Sequence, residues 1–228
     1  MTGNEKIIAI GDIHGCCRSV AALMKKLESL DNYQLLFIGD YIDRGPCSKE
    51  VISLMTELGK ERNCVFLRGN HEQMLLDAVD TGVVTRWLYN GGGTTLKSYE
   101  TDPGELNFPD DHMEFYRKTR LYYETAEYLF VHAGITPNQT VARNLERSSA
   151  DTFLWTRDHM NVFETPWEKT VVFGHTPQRE PVRRKNMIGI DTGCVFASSG
   201  FGTLTALILP DETFIQQHSL DNDEINKV

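Results

Sequence analysis

The opening third of the chain switches repeatedly between two hydrophobic periods. "KIIAI" (6–10) is a short apolar run rich in β-branched residues and closed by glycine, the pattern of a buried strand. Val20, Leu23, Met24, Leu27 and Leu30 then recur at helical spacing and predict a helix over 17–29. "QLLFIG" (34–39) predicts a second strand. Val51, Ile52, Met55 and Leu58 predict a helix started near Pro46-Cys47-Ser48. "CVFLRG" (64–69) predicts a third strand, and Leu75, Leu76 and Val79 a third helix. This βαβαβα order is that of a parallel sheet covered by helices. Over 80–120 strand signals thin out. "NGGGTT" (90–95) breaks the chain, "HMEFYRKTR" reads as helical, and the segment is expected to be a helical insertion that caps or flanks the sheet. From 120 to 217 strands return: "LYYET", "EYLFVHAG", "TVVFGHT", "NMIGIDTG", "TLTALILP" and "TFIQQH". Several leave no room for crossover helices, so antiparallel pairs are expected. The residues 218–228 form an acidic end expected to fray. With no internal repeat and no linker, 1–228 reads as one domain of the α/β class (α+β by some schemes).

Five of the apolar runs end in turns loaded with ligand-type side chains. They are Gly11-Asp12-Ile13-His14-Gly15, Gly39-Asp40-Tyr41-Ile42-Asp43-Arg44-Gly45, Arg68-Gly69-Asn70-His71-Glu72, His132-Ala133-Gly134 and Gly174-His175-Thr176. In an open α/β sheet the C-terminal ends of parallel strands share one edge, where ligands bind. Asp12, Asp40 and Asn70 are spaced 28 and 30 residues apart, about one βαβ unit each, so they should land side by side. Carboxylates, an amide carbonyl and imidazoles suit hard or borderline divalent ions. The ligands are too many for one open catalytic ion and suit a pair bridged by a carboxylate, roughly 3.5–4 Å apart.

Taken singly, each turn has a plainer reading. Asp-x-His after a strand is commonly a turn with a satisfied histidine. "GNHE" could be a helix start, with Asn70 as N-cap and Glu72 in the first turn. His132 could be a packed core residue. Five glycine-flanked clusters at five strand ends in one chain are what favour chemistry over these alternatives.

In this order "GDIHG", "GDYIDRG", "RGNHE", "HAG" and "GHT" resemble the metallophosphoesterase superfamily over roughly 6–217. The "GDYIDRG" box resembles the serine/threonine-specific phosphoprotein phosphatases, and the compact ending "GIDTGCV…GTLTALILPD" resembles their bacterial and phage members; the "SAPNYC" motif of the eukaryotic enzymes is absent. The resemblance implies a calcineurin-like β-sandwich flanked by helices, with a dinuclear metal centre at its edge. It implies that Asp12 and His14 bind one ion, that Asp40 bridges, and that Asn70, His132 and His175 bind the other. Manganese is the first choice of metal, with iron or zinc as alternatives.

The chemistry expected of such a site is direct hydrolysis of a phosphomonoester by a metal-bridging hydroxide, with no phosphoenzyme. Arg44 and Arg68 flank the ligand turns and are expected to clamp phosphoryl oxygens. Arg157 in "FLWTRD" resembles a third phosphate-binding arginine, with an ion pair to Asp158 as the alternative. His71 is expected to protonate the leaving alkoxide, oriented by Asp43, whose alternative is an ion pair with Arg44. Glu72 is expected to be structural. The expected activity is that of a serine/threonine protein phosphatase acting on phosphoproteins or phosphopeptides. The alternative is a symmetrical dinucleoside tetraphosphate hydrolase, a related branch that tends to lose the aspartate of "YIDRG".

Composition narrows the partners. A net charge of -9 argues against a non-specific nucleic-acid or membrane-surface binder. No apolar run approaches the roughly 20 residues of a membrane span. Five cysteines, an odd number with no CxxC pair, point to a reducing compartment, so a cytoplasmic monomer is expected. Cys16 and Cys17 lack the Cys-x5-Arg cradle of cysteine phosphatases. "NGGGTTL" lacks the Lys-Ser/Thr ending of a phosphate loop and reads as a turn before a short helix. "REPVRRKN" (179–186) reads as a solvated basic loop.

Overall fold

In the computed structural model, residues 6–102 and 105–221 are described. β1 (Ile7–Ile10), α1 (Cys17–Lys26), β2 (Gln34–Phe37), α2 (Ser48–Glu61), β3 (Cys64–Phe66) and α3 (Asn70–Thr81) follow the βαβαβα pattern. The middle segment holds α4 (Thr85–Trp87), a wide turn over 88–92, α5 (Gly93–Tyr99), the short pair β4 (Glu100–Asp102) and β5 (Glu105–Leu106), and α6 (Asp110–Lys118). Then come β6 (Tyr122–Glu124), β7 (Tyr128–Val131), α7 (Val141–Arg147), α8 (Ala150–Trp155), β8 (Thr170–Phe173), β9 (Val182–Arg184), β10 (Met187–Gly189), β11 (Thr203–Leu209) and β12 (Thr213–His218).

Two five-stranded sheets, ordered β12-β11-β1-β2-β3 and β6-β7-β8-β10-β9, stack face to face. The alternation within β1 shows why. Ile7 and Ala9 face the second sheet in a layer with Leu36, Val65, Phe130, Val172 and Ile188. Ile8 and Ile10 face outward, into a layer with Val20, Leu23, Val51, Ile52 and Leu75 from α1, α2 and α3. A strand buried on both faces reads as a continuous apolar run, as "IIAI" does. The outer face of the second sheet packs Leu129, Val131, Val171 and Phe173 against Val141, Phe153 and Trp167. The result is an α/β sandwich of four layers, helix–sheet–sheet–helix.

The last third meets the antiparallel expectation in part. β6–β7, β9–β10 and β11–β12 are antiparallel, but β7–β8 and β8–β10 are parallel. The crossover between β7 and β8 carries α7 and α8, which are only 7 and 6 residues long, too short to show a helical period. The basic run 179–186 is also not wholly a loop, since Val182–Arg184 is an edge strand and Arg183 pairs with Glu212.

The expected frayed end needs dividing. Residues 222–228 lie outside the described residues, but 218–221 are ordered. Asp221 is fully buried and its carboxylate accepts from the backbone N–H of Arg18 (3.0 Å) and Ser19 (3.1 Å) and from the Ser19 hydroxyl. It caps the N-terminus of α1, which Cys16 does not cap. Asp221→Ala is expected to cost about 1–2 kcal/mol, a fall of roughly 3–6 °C in Tm. An unchanged thermal melt would remove this cap from the account. No helix among the described residues is long and apolar enough to cross a membrane, and none of the five cysteines is in a disulfide.

Candidate metal centre

The turns after β1, β2, β7 and β8 and the first residues of α3 meet at one edge of the sandwich. Asp40 O accepts from the N–H groups of Ile13 (3.0 Å) and His14 (2.8 Å), which knits the first two turns together. Glu72 holds the second to the third: its carboxylate accepts from the N–H groups of Asp40 (2.9 Å), Tyr41 (2.9 Å) and Gly69 (2.8 Å). Gly69, not Asn70, precedes α3 as its cap residue. A Cβ on Gly69 would lie 2.0 Å from Asp40 Oδ1, so only glycine allows this approach. Among the described residues, seven non-glycine residues take positive φ, and five of them are His14, Asp40, Asp43, Arg44 and His175. Backbone strain of this kind gathers where surrounding structure over-determines it, and here it gathers at the ligand turns.

Asp40 stands at the middle. Its Oδ2 faces His14 Nε2 at 3.3 Å and His71 Nε2 at 4.0 Å, while its Oδ1 lies 3.4 Å from His132 Nε2. Two three-residue groups with metal-ligand geometry result, His14–Asp40–His71 and Asp40–His132–His175, and Asp40 belongs to both. Asn70 Oδ1 accepts from His132 Nε2 (3.0 Å) and His175 Nδ1 (2.9 Å). Asp12 belongs to neither group. Its Oδ2 accepts from the His175 N–H at 3.0 Å, and its Oδ1 is buried without a hydrogen-bond partner.

Burial sets the electrostatics. It pushes Asp12 well above the usual carboxylate range, with Asp191 and Asp40 adding to the effect. It pushes Asp191 up to about 6. For Asp40 burial works the same way, but His132, His71 and His14 more than offset it and hold the carboxyl well below its ordinary value. Burial would discharge His132, yet Asp40 lifts it to about 9. Burial, then His132, leaves His175 at about 2. Burial and Arg44 hold His14 low as well.

This donor set fits divalent cations. Asp12 Oδ1 and His175 Nε2 are buried and have no partner, a cost that buried polar atoms normally avoid. Carboxylate oxygens, an amide oxygen and imidazole nitrogens are ligands for manganese, iron or zinc, not for a soft ion alone.

His71 and Asp43 are tightly paired. His71 Nδ1 donates to Asp43 Oδ2 at 2.6 Å, and both residues are fully buried. Asp43 is not paired with Arg44. Its other side-chain partners are Trp87 Nε1 and Thr95 Oγ1.

The three arginines separate. Arg44 reaches the cluster, with Nη1 2.5 Å from His14 Nε2 and the guanidinium over the Phe196 ring. Arg157 is exposed and close enough to His175 to lower its basicity, and no ion pair joins it to Asp158 among the described residues. Arg68, expected as a clamp, has its guanidinium bonded elsewhere. Its Nε donates to Thr119 Oγ1, its Nη1 to Gln73 Oε1, and its Nη2 to the carbonyls of Tyr116, Arg117 and Thr119. The side chain binds the open C-terminal end of α6, whose last carbonyls lack helical partners and draw a cation.

Sequence patterns missed Asp191, Trp87 and Thr95. Asp191 was findable, because "GIDTG" follows β10 with the same glycine-flanked form as the five ligand turns. Trp87 and Thr95 carry no such signal, since nothing local says that they meet Asp43.

Comparison with known proteins agrees with this geometry. Residues 5–196 match the sequence profile of the family described as calcineurin-like phosphoesterase. The chain is 32% identical over 236 residues to a protein of Oceanobacillus iheyensis named bis(5'-nucleosyl)-tetraphosphatase PrpE [asymmetrical], covering 92% of this chain and 91% of the relative. A protein of the same name from Halalkalibacterium halodurans is 29% identical over 90% of this chain and 91% of its own. Among solved structures, one provisionally named a diadenosine tetraphosphatase superposes with a TM-score of 0.68 at 22% identity, covering 94% of each chain. A serine/threonine phosphatase of Saccharomyces cerevisiae superposes at 0.58 with 15% identity, over 96% of this chain and 81% of its own. At these identities the superpositions show a shared fold.

Proposed function

The chain belongs to the calcineurin-like metallophosphoesterases, and from that premise we propose that it hydrolyses dinucleoside tetraphosphates asymmetrically, to a nucleoside triphosphate and a monophosphate. Hydrolysis of phosphoesters with divalent metal ions is the family's activity. The finer substrate rests on one observation: full-length similarity, over nine-tenths of both chains, to relatives named asymmetrical tetraphosphatases. This replaces the two substrates expected from the sequence, a phosphoprotein and a symmetrically cleaved dinucleotide.

Asp12, His14, Asp40, Asn70, His132 and His175 would hold two divalent ions, with Asp40 shared. Bound ions supply Lewis acidity to water and to phosphoryl oxygens. The chain's own groups do the rest. Arg44 and Arg157 neutralise the phosphoryl oxygens around the reacting phosphorus. Water adds to a terminal phosphorus, the anhydride bond to the remaining three phosphates breaks, and His71 Nε2 gives its proton to the departing oxygen.

One observation favours a second reading. An anhydride oxygen leaves readily, whereas the alkoxide of serine or threonine needs a proton, and the buried His71–Asp43 pair is built to give one. The protein would then be a phosphoserine or phosphothreonine phosphatase. The discriminating assay offers diadenosine tetraphosphate, a phosphopeptide and p-nitrophenyl phosphate, each with manganese and with chelator. ATP and AMP in equal amounts, formed with manganese and not with chelator, are the expected products. ADP as the sole product would mean symmetrical cleavage, and phosphopeptide turnover with the dinucleotide untouched would establish the second reading instead.

A further inference from the structure

Asp43 and Arg44 take consecutive left-handed conformations, with φ of 71° and 68°. Two adjacent non-glycine residues persist there only when their surroundings leave no alternative. Those surroundings come from Ser48 at the start of α2 and, above all, from the segment 85–95. The Asp43 N–H donates to Ser48 Oγ (3.1 Å) and Thr95 Oγ1 (3.0 Å). Trp87 Nε1 donates to both carboxylate oxygens (3.0 and 2.9 Å), and the Thr95 hydroxyl donates to Oδ1 (2.6 Å). The Arg44 N–H donates to Gly91 O at 3.2 Å. Gly91 itself has φ 102°, and a Cβ there would lie 2.9 Å from Arg44 Cγ.

We infer that Trp87 and Thr95 are positioning residues, which fix the Asp43 carboxylate and through it the direction in which His71 Nε2 points. His71 is fully buried, and its ring has one hydrogen-bond partner, Asp43 Oδ2. An Asp43 carboxylate freed to rotate therefore carries Nδ1 with it and swings Nε2 off the leaving oxygen. The same segment holds the backbone of Arg44, so the proton donor and a phosphate-binding arginine share one support. Buried networks of this kind act as a unit, because each member's geometry depends on the others. The inference rests on the reading of His71 as proton donor.

The test uses the manganese-loaded full chain and two aryl esters, phenyl phosphate and p-nitrophenyl phosphate, whose leaving oxygens differ in basicity. Thr95→Val removes the hydroxyl and keeps the volume, Thr95→Ser restores it, and Trp87→Phe removes the indole N–H. For Thr95→Val and Trp87→Phe, kcat on phenyl phosphate is expected to fall roughly tenfold or more, and clearly less on p-nitrophenyl phosphate. KM should stay within about twofold, and Thr95→Ser should recover to within about threefold of the unaltered chain. Should Trp87→Phe fail to fold, the threonine pair decides alone. Equal losses in Thr95→Val and Thr95→Ser, or losses independent of the leaving group, would overturn the inference. His71→Asn is run alongside. A leaving-group-dependent loss there without one at position 95 sinks the positioning role only; no such dependence in His71→Asn sinks the proton-donor reading and this inference together.

Discussion

Asp40→Asn is expected to lower kcat by at least about a thousandfold and to strip metal from the protein. Asp40 is shared by the two ligand groups, its Oδ2 turned to His14 and its Oδ1 to His132. Asparagine keeps the shape but offers one oxygen, so one group loses its ligand and the other loses charge. In the metal-free chain the electrostatics point the same way. His132, His71 and His14 together hold the Asp40 carboxyl ionised against its burial, and Asp40 in turn sustains the charge on His132. Removing one partner from a buried charged set leaves the others uncompensated. Mass-spectrometric metal analysis after dialysis should show fewer than two ions per chain. An Asp40→Asn protein that keeps two ions and a tenth of its turnover would contradict the shared-ligand assignment.

His71→Asn should separate catalysis from metal binding. His71 Nε2 is 4.0 Å from Asp40 Oδ2 and falls within one ligand group, so the substitution also asks whether it ligates or donates a proton. As proton donor, its loss should cost about 10²–10⁴ in kcat on alkyl phosphates, where the leaving alkoxide is strongly basic. Aryl phosphates should suffer much less, and the dinucleotide, which expels an anhydride oxygen, should resemble the aryl case. Both ions should remain. Loss of an ion from His71→Asn would recast His71 as a ligand, and equal losses on alkyl and aryl esters would remove its proton-donor role.

The strand ends were legible because the signal is local. A strand buried on both faces must be apolar throughout, and a turn that brings a carboxylate against backbone needs glycine beside it. "IAIGDIHG" and "LFIGD" state both requirements within a few residues. Helices α7 and α8 were not legible, since seven and six residues do not complete enough turns to show a period. The parallel pairing of β7 with β8 was lost with them.

Arg68 shows the limit for side chains. Its position before Gly69 placed it beside the site along the chain, but a long side chain can leave either way, and the unfilled carbonyls at the end of α6 draw it off. Asp221 is the reverse case. Its acidic, terminal surroundings suggested fraying, yet the exposed N–H groups of α1 gave its carboxylate a buried place more than 200 residues away in sequence.

The sequence by itself determined the sandwich's apolar strands and the residue types gathered at the metal edge, because these depend on periodicity and on spacing along the chain, and its ordered motifs carried the resemblance to the family. Only the tertiary structure decided which oxygen of Asp40 faces which histidine, that Arg68 turns away, and that Trp87 and Thr95 hold Asp43. Those outcomes depend on contacts between segments distant in sequence, where direction and distance follow from packing and no local pattern records them.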